Sequence, residues 1–227
     1  MDSHYHIDLN NYSLKKYSNS LSKRKLIPSR KILKVGLKKN IAILEEEGIK
    51  TLGDLVMRFN KKEKIQAFAQ KVSIPEDYLT ILVREAKSYL PNPISLSKLP
   101  DIDKNYIEAL AIAGIKNTKQ LFTKALNQNK NDLLSKELNI PQSVIKELIA
   151  ISDLSRLYGV GPVFARMLYD IGIISVHLFM KNSADEIVAI YENHTGKKAD
   201  FSVDDILFSQ EIARELPDIT QSSISKK

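Results

Sequence analysis

From about Ser29 onward the sequence repeats itself, and this constrains the fold more than any local propensity does. Gly48-Ile49-Lys50 recurs 66 positions later as Gly114-Ile115-Lys116, and Ile74-Pro75 recurs at the same offset as Ile140-Pro141. Leu44 and Leu55 keep that register with Leu110 and Leu121. A third copy follows the second by 58 positions: Leu96-Ser97-Lys98-Leu99 matches Leu154-Ser155-Arg156-Leu157, Ile102 matches Val160, and Gly114 matches Gly172. Three repeats of about sixty residues result.

Each repeat has a physical grammar. Gly48, Gly114 and Gly172 lie just past an apolar-periodic stretch, where a left-handed residue ends a helix. Three positions later Thr51, Asn117 and Ser175 suit the N-cap of the next helix, with Asp54 and Gln120 as capping-box partners in the first two copies. Pro75 and Pro141 then restart a helix in its first turn, while the third copy restarts through Ser202 and Asp205. Val, Ile and Thr never sustain a period-two alternation bounded by turns, so no strand is expected. The expected fold is all-α.

The third copy carries the sharpest version of the pattern. Leu154 and Leu157 end a short helix, Gly159 and Gly161 flank Val160 in a turn, and Ala165 and Leu168 open the buried stripe of a second helix. Glycine permits positive φ and close backbone approach, and amides at a helix start favour an anion. This stretch, residues 154–168, resembles the helix-hairpin-helix family, whose glycine–apolar–glycine turn with an alanine four residues on binds nucleic-acid backbones without reading sequence. The resemblance covers residues 29–217 as architecture: three tandem helix-hairpin-helix-type repeats, helical-hairpin bundles of SAM-domain-like kind, behind an N-terminal arm. The whole chain also resembles an uncharacterised family of helix-hairpin-helix repeat proteins to which no activity is attached. The expected division is a basic arm at 1–28 with a weak amphipathic helix around Leu14, Tyr17 and Leu21, repeats at 29–93, 94–152 and 153–217, and a disordered polar tail at 218–227.

Charge is uneven along these 227 residues. Residues 1–40 hold ten Lys/Arg against two acids, a net +8, and the remainder, with 24 Lys/Arg and 25 acids, is −1. The cluster Lys23-Arg24-Lys25, followed by Arg30, Lys31, Lys34, Lys38 and Lys39, is either a polyanion-contacting surface or a solvated tail. With no cysteine there is no disulfide framework, thiol nucleophile or cysteine zinc site. No run is long and apolar enough to span a bilayer and the first residues lack a secretory signal, so a cytoplasmic protein with no membrane partner is expected.

The three turns differ as ligand sites. Counted back from the helix-ending glycines, Gly159-Val160-Gly161 corresponds to Asp101-Ile102-Asp103 in the second copy and Val35-Gly36-Leu37 in the first. Two carboxylates in the second copy repel phosphate, which makes that turn structural. In the third, Pro162 removes one amide, Val163 and Phe164 stand where, as the resemblance implies, nucleic-acid-binding members often carry basic or small polar residues, and Arg156 and Arg166 are the nearby cations. Residues 151–227 carry a net −3, so this turn is open to two readings, a phosphate site or a contact with another repeat or protein. The first copy lacks the second glycine yet aligns Lys38, Lys39 and Asn40 with Pro162, Val163 and Phe164.

His4, His6 and Asp8 alternate as metal ligands on an extended segment do, but no second ligand cluster follows, and His177 and His194 stand alone. No phosphate loop or nucleophile elbow occurs. The expectation is therefore a non-enzymatic protein without metal or cofactor. Its partner is nucleic acid, DNA before RNA, held by Gly159, Val160, Gly161, Arg156 and Arg166 of the third copy and by Lys23, Arg24, Lys25, Lys34, Lys38 and Lys39 of the arm and first copy; the competing class is a protein-interaction scaffold.

Overall fold

The computed structural model describes residues 4–126 and 128–217, and the expected tail at 218–227 lies outside them. Among the described residues the fold is all-helical, with thirteen α-helices, three short 3₁₀ segments and no strand. Extended pairing is confined to two isolated bridges, Ser13 with Thr51 and Ser95 with Asn117.

The chain divides into two compact units. The first, Ile7–Leu90, contains α1 (Leu14–Lys23), α2 (Leu37–Glu46), α3 (Leu52–Arg58), α4 (Lys62–Val72) and α5 (Glu76–Lys87). Here α1 packs on α2, and α5 packs on α3, α4 and the 3₁₀ segment Pro28–Lys34. The second unit joins the residues up to His6 to those from Pro91 onward. It holds α6 (Lys104–Ile112), α7 (Thr118–Ala125), α8 (Gln128–Leu138), α9 (Gln142–Leu154), α10 (Pro162–Asp170), α11 (Val176–Lys181), α12 (Ala184–Thr195) and α13 (Val203–Ala213). In this unit α9 is central, packing against α7, α8 and α10, and its Ile145, Leu148, Ile151 and Leu154 are wholly buried.

One kind of corner is built three times, and its glycines are legible in the sequence. Gly48, Gly114 and Gly172 take φ of 81°, 80° and 86° immediately after α2, α6 and α10. Beyond each, an isoleucine amide reaches back to a carbonyl five residues earlier: Ile49 to Leu44 at 2.9 Å, Ile115 to Leu110 at 2.8 Å and Ile173 to Leu168 at 2.9 Å. Both side chains of every pair are buried, which adds an apolar clasp to the hydrogen-bonded stop. The next helix is then capped as expected, with Thr51 accepting from the Asp54 amide, Asn117 from that of Gln120 and Ser175 from that of Leu178. Asp54 closes a full capping box on the Thr51 amide. Gln120 does not: it accepts from the Lys116 amide at 2.7 Å, the counterpart of the Lys50 amide that Asp54 holds besides that of Thr51. Pro75 and Pro141 stand one position before their helices rather than in the first turn.

The capped helix also receives a backbone bond from outside the corner. The Leu52 amide donates to Tyr12 O and the Thr118 amide to Ile94 O, each at 2.9 Å. At the third corner the Val176 amide donates instead to the Asp153 carboxylate at 2.8 Å. A side chain on α9 there does the work of an extended backbone.

Of the arm expected at 1–28, the residues of α1 are packed into the fold. Leu14, Tyr17 and Leu21 are fully buried, and Leu14 N bonds to Lys50 O at 2.9 Å, so α1 is fastened to the first corner. The apolar spacing of an amphipathic helix is readable in the sequence; the surface receiving it is not, because that surface lies about forty residues downstream.

Candidate nucleic-acid interface

In the third turn, residues 158–161, one of the two glycines adopts a conformation that favours glycine and the other does not. Gly159 sits at φ 80°, Val160 points inward, and Gly161 is the extended N-cap of α10 without a side-chain cap bond. Its two cations are committed elsewhere. Arg156 is only 2% exposed: Nη1 pairs with Asp153 at 2.5 Å, Nε donates to Tyr5 O, and Nη2 donates to His4 O and Pro217 O. Its guanidinium also lies 4.6 Å from the centre of the Phe122 ring. Arg166 is held by Glu147 on one side and by Asp170, at 2.7 Å, on the other. Those carboxylates raise the pKa of Arg166, Asp170 chief among them, and cancel its charge toward solvent. Val163 is 72% exposed and Phe164 packs edge-on against Phe201. The expectation that Arg156 faces a ligand is therefore corrected: a long side chain with five donors found buried acceptors from distant segments.

The second turn has the same form with different chemistry. Asp101 adopts φ 59° where the third turn has Gly159, and Asp103 caps α6 by accepting from the Asn105 amide at 2.8 Å. A non-glycine in the left-handed region and a carboxylate occupied with its own helix make this turn a structural corner.

The first turn departs from both. From Leu33 to the first residue of α2, Leu37, is four positions, whereas Leu157 to Pro162 is five. With one residue fewer, Gly36 is itself the left-handed N-cap at φ 61°, and it makes no side-chain cap bond. Counted from the helix start, Lys38 and Lys39 stand where Val163 and Phe164 do, one place on from the alignment by glycines. α2 is correspondingly one residue longer than α10, which throws off a count taken from the helix-ending glycines.

This shortened turn gathers positive charge. Lys34, Gly36, Leu37, Lys38 and Lys39 line, with Ser22 of α1, a shallow hollow of about 410 Å³. Lys34 Nζ is steadied by the Ser22 carbonyl at 3.2 Å, and Lys38 and Lys39 are exposed on the first turn of α2. Lys23, at the end of α1, and Lys25 are also exposed. Lysines at a helix start gain nothing from the helix dipole, so α2 carries them against local preference. An anion offered to this surface would meet lysine ammonium groups together with uncapped helix amides. The Ile7–Leu90 unit has eighteen Lys/Arg against nine Asp/Glu, a net +9, while the residues outside it sum to −2.

Arg24 does not belong to that surface, a second correction. It is 4% exposed, and its Nη2 donates to Glu85 at 2.7 Å. Arg30 approaches the other oxygen of the same carboxylate at 3.3 Å, with Glu85 fully buried between the two arginines. Burial lowers the Arg24 pKa, but Tyr89 and Glu85 outweigh that and leave it raised, so the group stays charged. The cluster joins α1 and the 3₁₀ segment to α5. Sequence reasoning missed it because Glu85 lies 61 positions from Arg24 and obeys no shared period.

Among the described residues there is no cluster of three potential metal ligands, and no helix is long and apolar enough to cross a membrane. His4 and His6 instead bracket Tyr5, whose buried hydroxyl bonds to Thr118 and Ser155, while Asp8 caps the 3₁₀ segment Leu9–Asn11. In comparisons with known proteins, neither a curated protein nor a solved structure matches the chain. A family described as a domain of unknown function (DUF4332) matches residues 100–200, which span the second and third turns and leave the basic unit outside the match.

Proposed function

We propose that this is a non-catalytic cytoplasmic protein that binds nucleic-acid backbones without reading sequence, DNA before RNA as the helix-hairpin-helix resemblance implies. The contact surface in this reading is the basic face of the Ile7–Leu90 unit. The segments around the three turns are helix-hairpin-helix repeats, of which the second and third have become packing elements. One observation carries the proposal: Lys34, Lys38 and Lys39 converge with an uncapped helix start on one hollow, in a unit of net charge +9. Such a surface attracts phosphate by releasing counterions and by charge-assisted hydrogen bonds, and neither mechanism distinguishes bases.

The alternative is a protein-interaction scaffold, favoured by one feature of the third turn. Its cations are neutralised while Val163 is left 72% exposed, a combination suited to an apolar partner and not to phosphate. Titration of the intact chain with random-sequence duplex DNA, single strands and RNA at two salt concentrations separates the readings. Binding that weakens steeply as salt rises is expected for the first; no binding to any of them at low salt assigns the protein to the second.

A further inference from the structure

The aromatic residues of the basic unit narrow the choice of nucleic acid. Between residues 7 and 90 there are six, Tyr12, Tyr17, Phe59, Phe68, Tyr78 and Tyr89, and all of them are buried. Five of these rings are engaged with one another, Phe59 against Phe68 at 5.0 Å and Tyr89 against both Tyr12 and Tyr17 at 5.8 and 6.2 Å. Proteins that hold single strands draw much of their affinity from bases stacked on exposed rings beside a basic groove. This unit has the lysines and offers no ring. A single strand would bring it phosphates alone, spaced along a flexible chain that loses entropy on being ordered. A duplex brings phosphates already fixed in place, at about one charge per 1.7 Å of axis.

The tip of the first turn adds an apolar element. Val35 is 70% exposed, between Lys34 and Gly36, whereas Val160 of the third turn is 8% exposed and Ile102 of the second is half-buried. The shorter turn leaves no position for an inward side chain, and a stiff β-branched residue stands out among lysines. Phosphates held by Lys34, Lys38 and Lys39 would place the apolar faces of the intervening sugars next to it. We propose that this surface selects double-stranded over single-stranded nucleic acid, with Val35 as its contact to the sugar edge between phosphates. This rests on the nucleic-acid reading above.

The test uses the intact chain, one thirty-base-pair random-sequence DNA duplex, each of its separated strands, and vesicles of anionic phospholipid, at matched low salt. The duplex is expected to bind more tightly than either strand by about tenfold, allowing for the missing stacking. Val35→Ser is expected to weaken duplex binding about threefold to tenfold while leaving the slope of affinity on salt unchanged, because it removes apolar contact and no cation. Equal or tighter binding of single strands, stronger binding to the vesicles than to the duplex, or full affinity in Val35→Ser overturns the proposal. Absence of binding to both nucleic acids sinks the nucleic-acid reading itself, an outcome distinct from a failed duplex preference.

Discussion

Arg156 donates from Nε to the carbonyl oxygen of Tyr5 at 3.2 Å, across 151 positions of sequence. The same guanidinium reaches His4 O and Pro217 O at 3.2 and 2.9 Å and pairs with Asp153, so one side chain on the exit of α9 fastens segments from both ends of its unit. The Tyr5 hydroxyl completes the attachment through Thr118 and Ser155 at 2.8 and 2.7 Å, and burial raises its pKa despite those bonds.

Arg156→Met should therefore act on stability and not on binding. It leaves the buried Asp153 carboxylate without its countercharge, though still bonded to the Val176 amide, and takes a donor from three backbone carbonyls, and removing one partner of a buried pair costs about 3 to 5 kcal/mol. Denaturant unfolding of the variant measures the loss. Titration with duplex DNA at a temperature where the variant is folded should match the parent; weakened binding with undiminished stability would return Arg156 to the ligand.

His6 makes the same attachment sensitive to acid. Burial, followed by the nearby Lys119, lowers its pKa from 6.5 to about 4. The unfolded chain thus takes up a proton on His6 as pH falls from 6.5 toward 4 while the folded chain does not. The folded state has the full benefit of a neutral His6 above pH 6.5, loses it progressively as pH falls, and reaches a floor below pH 4. The difference amounts to about 2 kcal/mol after discounting for a ring partly in solvent. His6→Asn should flatten that part of the stability profile, and parallel profiles for parent and variant between pH 6.5 and 4 would contradict the assignment.

The fold is legible in the sequence where backbone conformation dictates residue type. A left-handed helix stop needs Gly48, Gly114 and Gly172, and a free helix start needs Thr51, Asn117 and Ser175, so their spacing marks the corners and their all-helical context. The site is less legible because length and burial are not periodic. Counting back from the helix stops pairs Gly36 with Val160, and that count fails by one residue when α2 lengthens at its start. Arg24 and Arg156 read as surface cations because arginine is usually exposed, and their acceptors, Glu85 and Tyr5, are far off in sequence. The exposure of Val35 has one signal in the sequence, a valine beside the only glycine of a turn that is a residue short.

Lys38→Glu combined with Lys39→Glu tests where the cations act. Both side chains are exposed on the first turn of α2, and acidic groups suit a helix start better than lysines do, so stability should hold or rise by a few tenths of a kcal/mol. Affinity for unrelated duplexes should fall to similar extents, and the slope of log affinity on log salt should flatten by about 1 to 2 units, at about 0.9 per phosphate lost. An unchanged slope, with binding still measurable in the parent, moves the contact away from the first turn.

Two glycines eleven positions apart separate a backbone requirement from a ligand requirement. Gly172 sits at φ 86°, and a Cβ added there would meet nothing within 4 Å, so Gly172→Ala should cost about 1 kcal/mol or more through backbone strain alone. Gly161 sits at φ −89° and ψ −178°, extended backbone that any residue adopts, and an added Cβ again meets nothing within 4 Å. Gly161→Val should therefore fold with a loss under about 1 kcal/mol, the difference between glycine and an aliphatic residue at an N-cap. Its side chain would nonetheless stand over the start of α10, where a phosphate would have to approach the amides. With the contact surface on the first turn, Gly161→Val should bind duplex DNA as the parent does. Loss of binding in a folded Gly161→Val protein would place the phosphate on the third turn, and the lysines of α2 would then be a solvated face.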